Sequence, residues 1–293
     1  MNLNDYSLWT AVITPMKEDG SIDFESYGML LKEQEAAGNG VLTLGSTGEA
    51  LNIDESERRE VLAFTLKQNL KVPVMVGVGG INLRETTEWV EYLNTQPIHA
   101  VLLVTPLYAK PGDEGQYEWF KTLLDKTKFP AMLYNVPSRT GKPMSVKAVA
   151  RLKDHKNFWA IKEASGSVDE FKKYREAAPN AAVYSGDDAM TPKFCQNGGK
   201  GLVSVASNVW PAQTHKYVEQ CLNGTLKDEQ LWADCANSLF AASNPIPAKV
   251  LLRKLGRIAA STLRAPLTDK ELPDCSVQIE ADKKINDWYK SHV

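Results

Sequence analysis

The chain predicts an α/β fold, a (β/α)8 TIM barrel with a C-terminal helical appendage. Two observations carry this. Eight short runs of apolar and β-branched residues alternate with longer amphipathic ones at a spacing of roughly 30 residues, which specifies a closed parallel barrel more economically than an open doubly wound sheet. The chain also has 293 residues. A one-domain barrel needs roughly 250, so material is left for an appendage.

In chain order the strand candidates are residues 8–14, 41–44, 72–78, 100–105, 131–136, 158–163, 182–185 and 201–205, short and apolar throughout. Between them, residues 23–37, 54–70, 83–95, 113–127, 145–153 and 167–178 carry the helical pattern. Several open on a side chain suited to capping free N–H groups, as Asp23, Asp54, Ser145 and Ser167 are. From about Pro211 the strand signal stops and the pattern is helical to the end, with breaks near Asn223-Gly224, at Asn244-Pro245-Ile246-Pro247 and across 268–273. The expected division is a barrel carrying the site over residues 1–224 and a C-terminal helical region over 225–293.

Composition narrows the function classes. Hydrophobic residues make up 43% and charged residues 24%, ordinary for a globular chain. With 34 Lys+Arg against 36 Asp+Glu there is no basic excess to neutralise phosphates, so no nucleic-acid partner is expected. No apolar run approaches the roughly 20 residues of a membrane span. The segment Met1-Asn2-Leu3-Asn4-Asp5-Tyr6 lacks the basic stretch and apolar core of a signal peptide, so a cytoplasmic location away from membranes is expected. Cys195, Cys221, Cys235 and Cys275 contain no C-x-x-C pair, and His99, His155, His215 and His292 are scattered. That pattern points away from a metal site, a disulfide framework and Ser-His or Cys-His chemistry. Gly77-Val78-Gly79-Gly80 lacks the third glycine of a dinucleotide fingerprint, and Gly198-Gly199-Lys200-Gly201 has the wrong spacing for a P-loop.

The chemistry concentrates in Tyr134-Asn135-Val136-Pro137-Ser138-Arg139-Thr140-Gly141 and in Phe158-Trp159-Ala160-Ile161-Lys162-Glu163-Ala164. A phenol can move protons, a guanidinium can hold a carboxylate, and an amine among apolar residues can form an imine with a keto acid. On a strand, Lys162 points the same way as Ala160 and Ala164, small residues that leave room around its stem. An amine held among apolar walls has its charged form disfavoured, so its pKa falls. A lone lysine of this kind is, as a rule, a strand-end side chain that snorkels to solvent. Convergence turns the reading. Tyr134, Lys162, the Ser185-Gly186-Asp187-Asp188 turn, the Gly45-Ser46-Thr47-Gly48-Glu49 loop and Tyr108 lie at or just past the C-terminal ends of five strand candidates, where a barrel builds its site. In the loop, two glycines let successive N–H groups face one point while Ser46 and Thr47 add hydroxyls, which suits a small carboxylate or phosphate. The same residues also make an ordinary turn.

Gly45-Ser46-Thr47-Gly48-Glu49, Thr105-Pro106-Leu107-Tyr108, the Tyr134 to Gly141 stretch, Ile161-Lys162-Glu163-Ala164, Ser185-Gly186-Asp187-Asp188 and Asn244-Pro245-Ile246-Pro247 span nearly the whole chain, in order. Together they resemble the dihydrodipicolinate synthase family, within the pyruvate-dependent class I aldolases that include N-acetylneuraminate lyase. The resemblance implies condensation of pyruvate with L-aspartate-4-semialdehyde through a lysine enamine to 4-hydroxy-tetrahydrodipicolinate, a step of lysine and diaminopimelate biosynthesis. Lys162 matches the family's Schiff-base lysine and Tyr134 its proton-shuttling phenol. Tyr134, Ser46 and Tyr108 match a hydroxyl relay to solvent in which the last residue enters from a neighbouring subunit, so the resemblance implies a homo-oligomer, a tetramer built as a dimer of dimers. Thr47 and Gly48 match the holders of the pyruvate carboxylate. Val203 matches a position whose carbonyl lies against the keto acid, Gly186 belongs to the substrate-binding turn, and Arg139 matches the holder of the aldehyde's carboxylate. No metal or organic cofactor is implied, because the protonated imine is itself the electron sink.

Two departures bear on substrate and regulation. Ser46 stands where the synthases commonly carry threonine, and Gly-Ser-Thr-Gly-Glu is the form associated with the neuraminate lyases. Arg139 restores the synthase reading, since a planar fork suits bidentate recognition of a carboxylate. The alternatives are N-acetylneuraminate lyase or another sugar-acid aldolase and, from a different class, a keto-acid-binding regulatory barrel without catalysis. The second departure is Leu107, where feedback-regulated relatives often place a tyrosine. With Ile81 at the amide position and Arg58 where an imidazole is common, only Glu85 remains of a lysine-binding cleft, unless Asn82 supplies the amide by a one-residue slip. Lysine is therefore expected to inhibit weakly or not at all.

Overall fold

The computed structural model describes residues 1–292. Its eight strands are β1 (Leu8–Ala11), β2 (Gly40–Thr43), β3 (Val74–Val78), β4 (Ala100–Val104), β5 (Ala131–Asn135), β6 (Phe158–Glu163), β7 (Ala182–Ser185) and β8 (Leu202–Ser204). They close in chain order into a barrel, and the β1–β8 pairing is parallel like the rest. Each strand falls within or at the edge of an expected one. The helices α1 (Phe24–Ala36), α2 (Glu55–Lys67), α3 (Leu83–Leu93), α4 (Asp113–Lys126), α5 (Pro137–Thr140), α6 (Val146–Leu152), α7 (Val168–Ala177), α8 (Thr191–Gln196) and α9 (Pro211–Asn223) intervene or follow, and α10 (Glu229–Ser238), α11 (Ile246–Lys254) and α12 (Ser276–Lys290) complete the chain. Asp23, Ser145 and Ser167 cap as expected, each accepting a bond from a backbone N–H three residues on. The sequence pattern did not announce α5 and α8. Each is too short to show a period, and both start on a proline-bearing first turn.

Inside the barrel, side chains of alternate strand positions form one cluster that includes Trp9, Leu42, Met75, Leu102, Met132, Tyr134, Ala160, Tyr184 and Val203. Their size is matched locally: Trp9 pairs with Gly40 across β1–β2, and a Cβ on Gly40 would lie 2.6 Å from the indole. The opposite faces of the strands pack on the surrounding helices in a second cluster. The last four helices share a third with Leu8, Ile13, Leu30 and Leu202, so the C-terminal region is packed against the β1–β8 side of the barrel. Burying each large apolar side chain contributes about 1.5–3 kcal/mol. Arg264 ties this region down further. Its guanidinium donates to the Glu57 carboxylate at 2.5 Å and to the carbonyls of Gly20 and Asn52. The four cysteines are unpaired and three of them are buried. No helix of the described residues is long and apolar enough to cross a membrane.

Candidate active site

All eight strands run the same way, so their C-terminal ends gather at one face. Lys162 sits near the end of β6, in register with Tyr134 on β5 and Tyr184 on β7. Alternation along β6 turns it inward with Ala160, and it is only 5% exposed. Its ammonium lies 4.4 Å from the centroid of the Tyr134 ring. Gly186 is small for a reason. A Cβ there would come within 2.9 Å of the lysine's Cε and 2.7 Å of the Ala164 Cβ, so glycine leaves the channel through which the stem passes. Burial pulls the Lys162 pKa down from its ordinary value to about 7; the Asp188 carboxylate opposes that shift and the Arg139 guanidinium adds to it. Near neutral pH the amine is therefore available as a nucleophile.

Glu163, the next residue, points the other way and is buried. It accepts hydrogen bonds from Asn135 Nδ2 at 2.7 Å and the Ser165 N–H at 2.6 Å, while Asn135 Oδ1 accepts from the Met144 N–H. These bonds clamp the ends of β5 and β6, which hold Tyr134 and Lys162. The phenol of Tyr134 is buried, and burial raises its pKa; Arg139 and the Ser46 hydroxyl lower it in part, and the Glu163 charge raises it. Arg139 stands on α5, directly past β5, and gives one N–H to the carbonyl of Asn244 at 3.2 Å. Asp188 lies just past β7, fully buried, and accepts from Ser204 Oγ at 2.5 Å and from the N–H groups of Val205 and Ala206. It fastens the turn after β7 to the end of β8, and burial lifts its own pKa to about 6.

The loop after β2 is bracketed by two left-handed residues that are not glycine, Leu44 at φ 55° and Glu49 at φ 55°. Gly77 makes room for the first, since a Cβ there would fall 2.0 Å from the Leu44 carbonyl oxygen. Within the loop, Thr47 Oγ1 accepts from Asn244 Nδ2 at 2.9 Å, and the Gly48 carbonyl accepts from Thr14 Oγ1 at 2.8 Å. A threonine hydroxyl that already accepts one bond keeps its proton for an incoming acceptor.

A cavity of about 520 Å³ gathers Ser46, Thr47, Tyr134, Arg139, Lys162 and Gly186. A neighbouring one of about 410 Å³ shares Ser46, Tyr134 and Arg139 with it and reaches Leu107 and Tyr108. Six of the residues expected from sequence thus face one space. Gly48 lines neither cavity; its carbonyl is held by Thr14. Tyr108 stands apart, 89% exposed and in a left-handed conformation at φ 62°. The Val203 side chain joins the barrel-interior cluster and does not line the cavity; Val205, just past the end of β8, does. Sequence reasoning gave no role to Asn244, Ser243 or Phe240, which line the same cavity from the connection before α11. The Asn-Pro-Ile-Pro break marked that connection, but only the fold brings it over the barrel mouth.

The match to known proteins is extensive. Residues 6–281 match the model of the dihydrodipicolinate synthetase family. The 4-hydroxy-tetrahydrodipicolinate synthase of Francisella philomiragia is 50% identical over 288 residues, covering 98% of this chain and 97% of that protein. The corresponding enzyme of Methylacidiphilum fumariolicum SolV superposes with a TM-score of 0.91 at 30% identity, covering 98% of each chain. That of Cyanidioschyzon merolae, solved with lysine bound, superposes with a TM-score of 0.90 at 30% identity over 97% of this chain and 99% of that one.

Proposed function

This chain belongs to the dihydrodipicolinate synthetase family, and from that premise we propose how its own residues condense pyruvate with L-aspartate-4-semialdehyde to 4-hydroxy-tetrahydrodipicolinate. The observation that carries the reading is the buried amine of Lys162, with its pKa near 7, in a cavity that also holds a phenol, a hydroxyl-bearing loop and an arginine fork. Neutral Lys162 adds to the keto carbon of pyruvate, and loss of water leaves a protonated imine. That cation withdraws electrons from the methyl group, whose proton departs to give the enamine. The enamine carbon attacks the aldehyde, and the amino group of the second substrate then displaces the lysine to close the ring. The sum is one new carbon–carbon bond, one ring imine and one water. No metal or organic cofactor takes part.

Tyr134 carries protons to and from the nitrogen and oxygen centres, with Ser46 beside it and Tyr108 as the outer member of the relay. The Tyr108 side chain extends into solvent, and the exposed apolar Leu51 lines the same cavity as Tyr108 while exposed Ile81 lines the next one with Leu51, which supports a second copy packing on this face and lending its Tyr108. On this reading the protein acts in the cytoplasm as a homo-oligomer, a tetramer as dimer of dimers. Thr47 and the Gly48 backbone hold the pyruvate carboxylate, the Val203 carbonyl and Gly186 line the keto acid, and Arg139 holds the carboxylate of the semialdehyde. We divide the chain at residue 224, counting α9 to the barrel (1–224) and α10 to α12 to the C-terminal region (225–293). Product formation from pyruvate with the semialdehyde, N-acetylmannosamine and sugar-derived aldehydes tests the substrate. The semialdehyde should be used at least tenfold more efficiently, the low end of what a charge-assisted bidentate contact supplies; preference for N-acetylmannosamine would overturn the reading in favour of a lyase.

A further inference from the structure

The loop that faces pyruvate ends on a residue whose backbone and side chain are both unusual. Glu49 takes the left-handed conformation, which a glutamate does not choose for itself and which persists only where its surroundings enforce it. Its carboxylate is completely buried beside the equally buried Lys249 of α11, Oε1 lying 2.5 Å from the ammonium. The same ammonium donates to the Thr262 carbonyl at 2.9 Å, and Glu49 Oε2 accepts the Arg264 N–H at 3.3 Å. Five residues before Lys249, Asn244 holds the Thr47 hydroxyl. The entry and first turns of α11 therefore grip the loop at two points, one on each side of Gly48. Neither member of the pair lines the cavity, and the reaction uses neither.

We propose that Lys249 is a positioning residue: through its buried pair with Glu49 it holds the Thr47–Gly48 backbone in the shape that receives the keto-acid carboxylate. The geometry supports this over a purely structural role. An ion pair is a costly way to fill a core, and apolar residues of similar volume commonly stabilise as well or better. What an apolar pair cannot do is fix a left-handed peptide by two hydrogen bonds to one carboxylate. A displacement of the cradle by a fraction of an ångström falls directly on the contact with pyruvate. The proposal rests on the reading of Thr47 and Gly48 as the carboxylate holders.

The test compares Lys249→Met, Glu49→Gln/Lys249→Met and Thr47→Val by pyruvate KM, kcat and melting temperature. Lys249→Met orphans a buried carboxylate, so its melting temperature should fall. The double variant removes both charges and should regain that loss, which keeps the test valid if the single variant does not fold. In the double variant the pyruvate KM should stay raised by about tenfold while kcat changes by less than about threefold, a loss on the scale of misplaced binding groups. If Thr47→Val raises KM and the double variant restores both stability and KM, the pair is structural and the proposal fails alone. If Thr47→Val leaves KM unchanged, the carboxylate cradle is misassigned and the proposal falls with it.

Discussion

Two lysines among the described residues are buried, at the end of β6 and in α11, and their surroundings are opposite. Burial pulls the pKa of both down. Lys249 meets a carboxylate at 2.5 Å and a carbonyl at 2.9 Å, so its charge is balanced in place and it acts as a fastener. Lys162 forms no ion pair among the described residues. An aromatic face and alanines surround it, the Asp188 charge acts from a distance, and the ammonium loses to the neutral amine near pH 7. Desolvation alone does not make a nucleophile; desolvation without a partner does.

The strongest way to break this contrast is Lys162→Ala. Activity should fall by at least roughly 10³-fold, the scale on which loss of a covalent nucleophile is felt, and the adduct trapped with pyruvate and borohydride should vanish from the intact-protein mass. An adduct that persists and maps to Lys249 would show that pairing does not silence a buried lysine. Arg139→Ala should leave trapping in place while use of the semialdehyde drops by about one to two powers of ten, since a charge-assisted hydrogen-bond pair contributes roughly 1.5–3 kcal/mol. Equal loss of trapping would move Arg139 to the lysine's side of the site.

The pH profile sharpens the contrast. In the proposed reaction the neutral amine of Lys162 is the reactive form, and its pKa is depressed. The trapping rate should therefore rise as pH increases through about 7 and level off above it, far below the ordinary lysine value of 10.5. The charged groups acting on Lys162 are Asp188 from the turn after β7 and Arg139 from α5. Asp188 favours the ammonium, so Asp188→Asn should move the midpoint lower; a midpoint near that of a free lysine would refute the account. The smallest expected effect is the response to free lysine. Asn82 caps α3, and its Nδ2 donates to Glu85 at 2.7 Å, so the cleft's remaining carboxylate already has a partner. Arg58 stacks on Trp89 at 5.1 Å in the same cleft and repels a cationic ligand. Steady-state rates should stay flat to millimolar lysine. Partial inhibition below that range would mean that these side chains rearrange to admit it.

Much of the architecture was readable because it is local. The eight strands, the caps at Asp23, Ser145 and Ser167, and the stop at Gly224 are properties of a few adjacent residues. The short α5 and α8 were not readable, since four or six residues carry no period. At the site, Lys162 stood out because strand alternation puts it on one face with Ala160 and Ala164, and Tyr134 because it lies at a strand end; the fold set the two in register. Tyr108 could be placed on a loop, but not given its 89% exposure.

The sequence by itself determined a barrel of eight alternating units and the edge of that barrel where reactive side chains gather, because periods of two and 3.6 residues and the direction of a strand are written into neighbouring positions. Tertiary structure decided which polar groups lose water and which then find partners. Asn244 meets Thr47 across 197 positions and Lys249 meets Glu49 across 200. Burial and pairing over such separations depend on closure of the whole barrel and the docking of the C-terminal region against its loops, and those two terms set the charge state of each lysine.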